Sequence, residues 1–201
     1  MKTFIAQALF NSHSYLEYRK LMADLLKDGK STAVEQTQER THYSELNESR
    51  MRRLDKTINI TDENGAKLKT LTKRYIWLVL SESWCGDAAQ ILPILHKMEV
   101  ESNGKIEMKL VLRDENETLM NLFLTHKGKA IPKLIVIDKE TGSVVGDWGP
   151  RPQGAVNLIE AYKAEFGSID ETVKANLQLW YLHDKGLSTQ NEIIQLLQNL
   201  E

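Results

Sequence analysis

The segment Trp84-Cys85-Gly86-Asp87-Ala88 holds the one cysteine of a 201-residue chain. A thiol is the softest nucleophile a side chain offers. An apolar run, Tyr75-Ile76-Trp77-Leu78-Val79-Leu80, precedes it across Ser81-Glu82-Ser83, and a helical pattern follows from Asp87 through Met98. A cysteine on such a strand-to-helix turn meets the unpaired N–H groups of the helix, whose positive end favours thiolate over thiol. On that ground the pKa of Cys85 is expected below the free-thiol value of about 8.5. Asp87 acts the other way, because a carboxylate disfavours a second negative charge beside it. Asp87 also suits the first turn of any helix, and a lone cysteine can simply be a small buried hydrophobe. With no second cysteine, redox chemistry here is single-thiol chemistry: Cys85 forms a mixed disulfide and an outside thiol releases it.

Three other places bear on that chemistry. Ile131-Pro132 opens a strand, where proline is ordinarily an edge device. Pro150-Arg151-Pro152 ends a strand and starts a helix, with Pro152 suited to the first helical position. The Arg151 guanidinium is also a candidate partner for a thiolate, a sulfenate or the carboxylate of a small thiol. Trp84 and Trp148 are candidate apolar contacts for a ligand, or ordinary interior tryptophans. The five histidines, His13, His42, His96, His126 and His183, show no metal-ligand spacing, and no metal is expected. There is no glycine-rich phosphate loop and no serine-nucleophile elbow.

The elements that position these residues follow from periodicity. Residues 13 to 28 read as an amphipathic helix through Tyr15, Tyr18, Met22, Leu25 and Leu26, stopped by Asp28-Gly29. Residues 33 to 56 read as a charged helix with a thin apolar stripe at Tyr43, Leu46, Met51 and Leu54. After the strand at Tyr75 and the helix at Asp87 come a strand at Ile106 to Leu112 and a helix at Asn116 to Lys127. Strands Lys133 to Asp138 and Ser143 to Trp148 flank a Lys139-Glu140-Thr141-Gly142 turn. Pro152 to Phe166 closes the unit as a helix. Ile169, Val173, Leu177, Trp180 and Tyr181 mark a further helix, and Ile193, Ile194, Leu197 and Leu200 mark the last. The order β-α-β-α-β-β-α implies an α/β fold with a central mixed sheet flanked by helices, carrying N- and C-terminal helical extensions.

Hydrophobic residues at 41% and charged residues at 27% describe a globular chain with material for a core. The formal net charge is -2, without a basic block, so neither nucleic acid nor a membrane is expected as partner. Met1 to Phe10 reads as a packing segment rather than a signal peptide. One cysteine gains nothing from an oxidising compartment, and a cytoplasmic location is expected.

Taken together, these motifs resemble the thioredoxin superfamily. Trp84-Cys85-Gly86-Asp87-Ala88 is similar to its Trp-Cys-Gly-Pro-Cys turn. Pro93 stands where that family has a helix proline, Ile131-Pro132-Lys133-Leu134-Ile135-Val136 resembles its cis-proline strand, and the Gly142 hairpin follows at the expected distance. The resemblance covers about residues 60 to 166, leaving 1–59 as an N-terminal helical extension and 167–201 as C-terminal helices packed on the domain. The Cys-x-x-Ala variant, with Trp148-Gly149-Pro150-Arg151-Pro152, looks like a bacterial subgroup of thioredoxin-like proteins. Two departures matter. Ala88 stands for the second cysteine, and Val79 stands where such oxidoreductases bury an acid. The resemblance therefore implies Cys85 as the reactive residue, without the dithiol cycle. It implies Trp84, Gly86, Asp87, Ile131, Pro132, Trp148 and Arg151 around the substrate, with the Ile131 backbone pairing an extended strand. No cofactor is expected beyond an external thiol such as a glutathione-like reductant. The expected partner is a protein bearing a disulfide or sulfenate, or a low-molecular-weight thiol. The competing expectation is a non-catalytic thioredoxin-fold module that binds a peptide or protein.

Overall fold

The computed structural model describes residues 2–201, so Met1 lies outside the account that follows. Four helices lead the chain: α1 (Lys2–Phe10), α2 (Tyr15–Lys27), α3 (Gln38–Thr57) and α4 (Asp62–Lys69). The central unit is β1 (Tyr75–Ser81), α5 (Gly86–Glu101), β2 (Ile106–Leu112), α6 (Glu117–Met120), β3 (Lys133–Asp138), β4 (Val144–Trp148) and α7 (Gln153–Phe166). Helices α8 (Glu171–Asp184) and α9 (Leu187–Gln198) follow. The sheet order is β2-β1-β3-β4, with β1 and β2 parallel and β3 antiparallel to both β1 and β4.

Strand β1 lies between two neighbours and under helices, which is why its sequence is a continuous apolar run and not an alternating one. Trp77, Leu78, Val79 and Leu80 are fully buried, each contributing roughly 1.5–3 kcal/mol relative to exposure. Helix α5 is buried on nearly every face from Asp87 to Leu95. A helix apolar all round must be covered all round, and α3, α4 and α9 pack against it from outside the central unit. Buried apolar residues from Ile5 to Leu197 form one cluster.

Local chemistry sets the element ends. Ser14 and Glu17 form a reciprocal capping box on α2, Thr37 caps α3, Thr61 caps α4, and Asp170 accepts from Thr172 and Val173 at the head of α8. Gly167 and Gly186, both left-handed, separate the last three helices.

Three expectations need correction. The helix expected over Asn116 to Lys127 ends at Met120, because His126 and Lys127 take left-handed backbone (φ 48° and 66°) and Thr125 pairs with Gly128. The buried face of α3 runs through Ser44, Asn47, Met51 and Leu54. Tyr43 and Leu46 turn away from it, since the polar pair answers a polar loop beneath. Pro152 is the N-cap of α7 rather than its first residue. Residues 2–10 pack, as expected of them, as a helix burying Ile5 and Ala8.

Candidate functional site

Cys85 is the N-cap residue of α5. Its Sγ lies 3.5 Å from the Ala88 N–H and donates its own hydrogen to the Ile131 carbonyl oxygen at 3.2 Å. The Ile131-Pro132 bond is cis, and both residues are buried. A cysteine at a helix head facing a cis-proline strand is thus present, as the resemblance implied.

The electrostatics differ from expectation. Burial pushes the Cys85 thiol up to about 12; the Asp87 carboxylate adds to the rise, and the Ala88 and Asp87 N–H groups and Arg151 only partly oppose it. The expected depression of this pKa is overturned. The thiol is only 9% exposed, and at that depth desolvation of a thiolate outweighs the field of one helix end. Arg151 is not the partner of the sulfur. Its Nε and Nη2 both lie 2.8 Å from Asp87 Oδ2, while Tyr181 Oη donates to Asp87 Oδ1 at 2.8 Å. Burial opposes the charge on Arg151, but Asp87 holds its pKa above the ordinary value. Buried among its apolar neighbours, the Tyr181 hydroxyl is raised too, with Asp87 adding to the effect. The three side chains tie the first turn of α5 to the β4–α7 junction and to α8.

A cleft of about 570 Å³ opens beside this turn, walled by α3 and α8. Trp84, Cys85, Gly86, Asp87 and Arg151 line it; Ile131, Pro132 and Trp148 do not. Trp148 donates its Nε1 to Glu192 on α9 at 2.8 Å. Trp84 is flanked by the guanidinium groups of Arg40 and Arg113, 5.5 and 4.8 Å from the ring centroid. The expected substrate residues therefore divide into a set on the cleft and a set behind it.

Behind the turn, the backbone of the two rim loops touches. Gly149 has φ 118°, and a methyl group there would stand 2.3 Å from the Pro132 carbonyl oxygen. Only glycine fits so close an approach.

A buried acid is present after all, three residues beyond Val79. Glu82 is fully buried. It accepts from the Thr32 hydroxyl and from the Asp114 N–H at 3.0 Å. Burial raises its pKa from 4.5 to about 7, against the pull of those two hydrogen bonds. Next to it, Ser83 bonds Thr32 through both its N–H and its hydroxyl, meets the Ser44 hydroxyl at 2.7 Å, and accepts from Asn47 Nδ2 at 2.8 Å through its carbonyl. Thus the loop before α3, and α3 itself, are sewn to the end of β1 by polar groups. Polar residues 81–83 between a buried strand and a cysteine were the visible sign of this; their partners, 32 to 63 residues away, were not.

Among the described residues, no group of three or more His, Cys, Asp or Glu side chains is placed to hold a metal, and no helix is long and apolar enough to cross a membrane.

A four-stranded mixed sheet with a cysteine-capped helix opposite a cis-proline strand defines a thioredoxin-like α/β fold. A family model described as Thioredoxin matches residues 33–163, more than half the chain, and the chain belongs to that thioredoxin family. The match begins before α3 and so takes in the helix that walls the cleft. Among solved structures, the fold is similar to the crystal structure of an HIV epitope-scaffold, at 18% identity and TM-score 0.58 over 94% of this chain and 100% of that one. It is equally similar to a protein of unknown function from Pseudomonas aeruginosa, at 18% identity and TM-score 0.58 over 94% of this chain and 99% of that one. No curated protein matches the chain.

Proposed function

We propose that this thioredoxin-family protein is a binding module that takes its ligand in the cleft between α3, α8 and the Cys85 turn, with the thiol held neutral at rest. The observation that carries this reading is the hydrogen bond from Cys85 Sγ to the Ile131 carbonyl at 3.2 Å. That carbonyl is the acceptor an extended substrate strand would use beside the cis-proline, and here the protein's own thiol occupies it. A thiol raised to about 12 leaves on the order of one thiolate in 100,000 molecules at pH 7. Higher intrinsic nucleophilicity recovers only part of that loss. Ala88 in place of a resolving thiol supports the same reading.

One observation favours a second reading, single-thiol exchange. Cys85 borders the cleft, with the Ala88 N–H 3.5 Å from its sulfur. A small disulfide entering there would be attacked by the Cys85 sulfur. A new S–S bond forms, the old one breaks, one thiol leaves, and the Cys85 proton passes to that leaving sulfur.

The pH dependence of Cys85 alkylation by iodoacetamide, followed by mass spectrometry, separates the two. The binding-module reading expects no inflection below pH 9 and no adduct after mild treatment with a low-molecular-weight disulfide. A midpoint below about 8, under the free-thiol value, would reverse the choice.

A further inference from the structure

Two hydrogen-bond donors converge over Gly86, a cation without a counter-charge and an amide NH₂ without an acceptor. The Arg50 guanidinium, half buried, bonds only Asn47 Oδ1 at 2.8 Å and makes no ion pair among the described residues. The Gln178 amide gives its oxygen to Gln90 Nε2 at 2.8 Å, which leaves its NH₂ group directed elsewhere and without an acceptor among the described residues. Gln178 Nε2 and Arg50 Nη1 stand 3.4 and 3.8 Å from the point where a Cβ on Gly86 would be. The other cations of the cleft are committed: Arg151 to Asp87, Lys174 to Glu171 at 2.6 Å, and Arg40 to Glu35 at 3.6 Å and to the face of Trp84. Burial and the neighbouring Arg53 make the Arg50 charge less comfortable than an exposed one. A half-buried cation without a counter-charge is an unbalanced arrangement that an anion would balance. Next to these donors the walls turn apolar at Tyr43, Leu46 and Leu177.

We infer that the cleft binds a small organic anion, its acidic headgroup over Gly86 between Arg50 and Gln178 and its apolar body against Tyr43, Leu46 and Leu177. The inference rests on the binding-module reading and adds the chemical class of the ligand. A volume of about 570 Å³ lies within the roughly 300–1,000 Å³ typical of small-molecule sites, and a Gly86 without side chain lets the headgroup approach the backbone. Of the cleft's carboxylates, Asp87 and Glu171 are paired and Glu39 is exposed to solvent, so the half-buried Arg50 charge favours an acid over a neutral or cationic ligand.

The test compares two dyes of similar shape on the full chain by fluorescence titration: 8-anilinonaphthalene-1-sulfonate, an anion, and N-phenyl-1-naphthylamine, which is neutral. The parent protein is expected to bind the sulfonate at one site. Arg50→Gln should weaken the sulfonate about tenfold or more, the scale of one charge-assisted hydrogen bond, and leave the neutral dye unchanged. Leu46→Trp, on a residue 39% exposed, should fill the cleft and displace both dyes. Circular dichroism checks the fold of each variant. If Arg50→Gln does not fold, Gln178→Leu serves in its place, with a severalfold loss expected for the sulfonate alone. Equal loss for both dyes, or none for either, overturns the anion inference and leaves the cleft as a binding site. Failure of the parent to bind either dye, or binding that Leu46→Trp leaves intact, overturns the binding-module reading at this cleft and the inference with it.

Discussion

Asp87 adds to what burial does to Cys85, two residues before it. Its carboxylate raises the thiol pKa, while its own charge is met by Arg151 and Tyr181. Replacing Asp87 by Asn removes the charge and keeps an oxygen that can still accept from Tyr181. We expect Asp87→Asn to move the alkylation midpoint of Cys85 downward by about one pH unit, since one nearby like charge accounts for shifts of that order. The midpoint should stay above the free-thiol value of about 8.5, because burial is the larger cause and remains. A midpoint unchanged by the substitution would show that desolvation alone holds the thiol neutral. The sequence displayed both the helix end and the opposing carboxylate, but not their relative weights. Those depend on depth, which α3 and α8 create by packing over the turn. Nor was the Arg151–Asp87 pair readable, because 64 residues separate them and nothing local marks either as the other's partner.

At the scale of elements, the junction of β1 with the loop before α3 is a pH-sensitive seam. Glu82 has a pKa of about 7 in the fold against 4.5 outside it. The folded state therefore holds a proton there that the unfolded state has released, and the contribution of this group to stability falls as pH rises from about 4.5 to about 7. A difference of that size corresponds to about 3 kcal/mol. Glu82→Gln keeps an acceptor and removes the titration. Urea denaturation at pH 5 and pH 8 should show the parent losing about 2–3 kcal/mol relative to the Gln variant on going to the higher pH; a gap that does not change with pH would count against the buried proton. The elements themselves were largely legible. Ile106–Leu112 and Lys133–Asp138 have the bounds expected of them, and α2 starts where Ser14 and Glu17 can cap each other. The failures differ in cause. Along α3 the apolar pattern is thin, so its buried face is settled by a partner distant in sequence, Ser83 for Ser44 and Asn47; after Leu124 the chain turns locally, with Thr125 pairing Gly128 around left-handed His126 and Lys127.

Across the whole molecule, one apolar cluster runs from α1 to α9. Met51 on α3 is 1% exposed within it. Met51→Ala should destabilise the protein by about 2–4 kcal/mol, as for other buried methionines, and should leave a single unfolding transition. Tryptophan fluorescence, dominated by the central unit, and far-ultraviolet circular dichroism, dominated by the helices, should lose signal together. Two separated transitions would mean that α3 can leave without the sheet. The contact of Gly149 with Pro132 has a mechanical meaning at this scale. Two backbones pressed together, with no side chain between them, cannot be repacked by rotamer changes, so the rear of the site behaves as an anvil. The front is held by side chains, Tyr181 on Asp87 and Gln178 on Gln90 from α8, Ser44 and Asn47 on Ser83 from α3. On the binding-module reading, a ligand meets these side chains and not the anvil first. Selectivity can then drift by substitution along α8 while the anvil and its cysteine stay as they are.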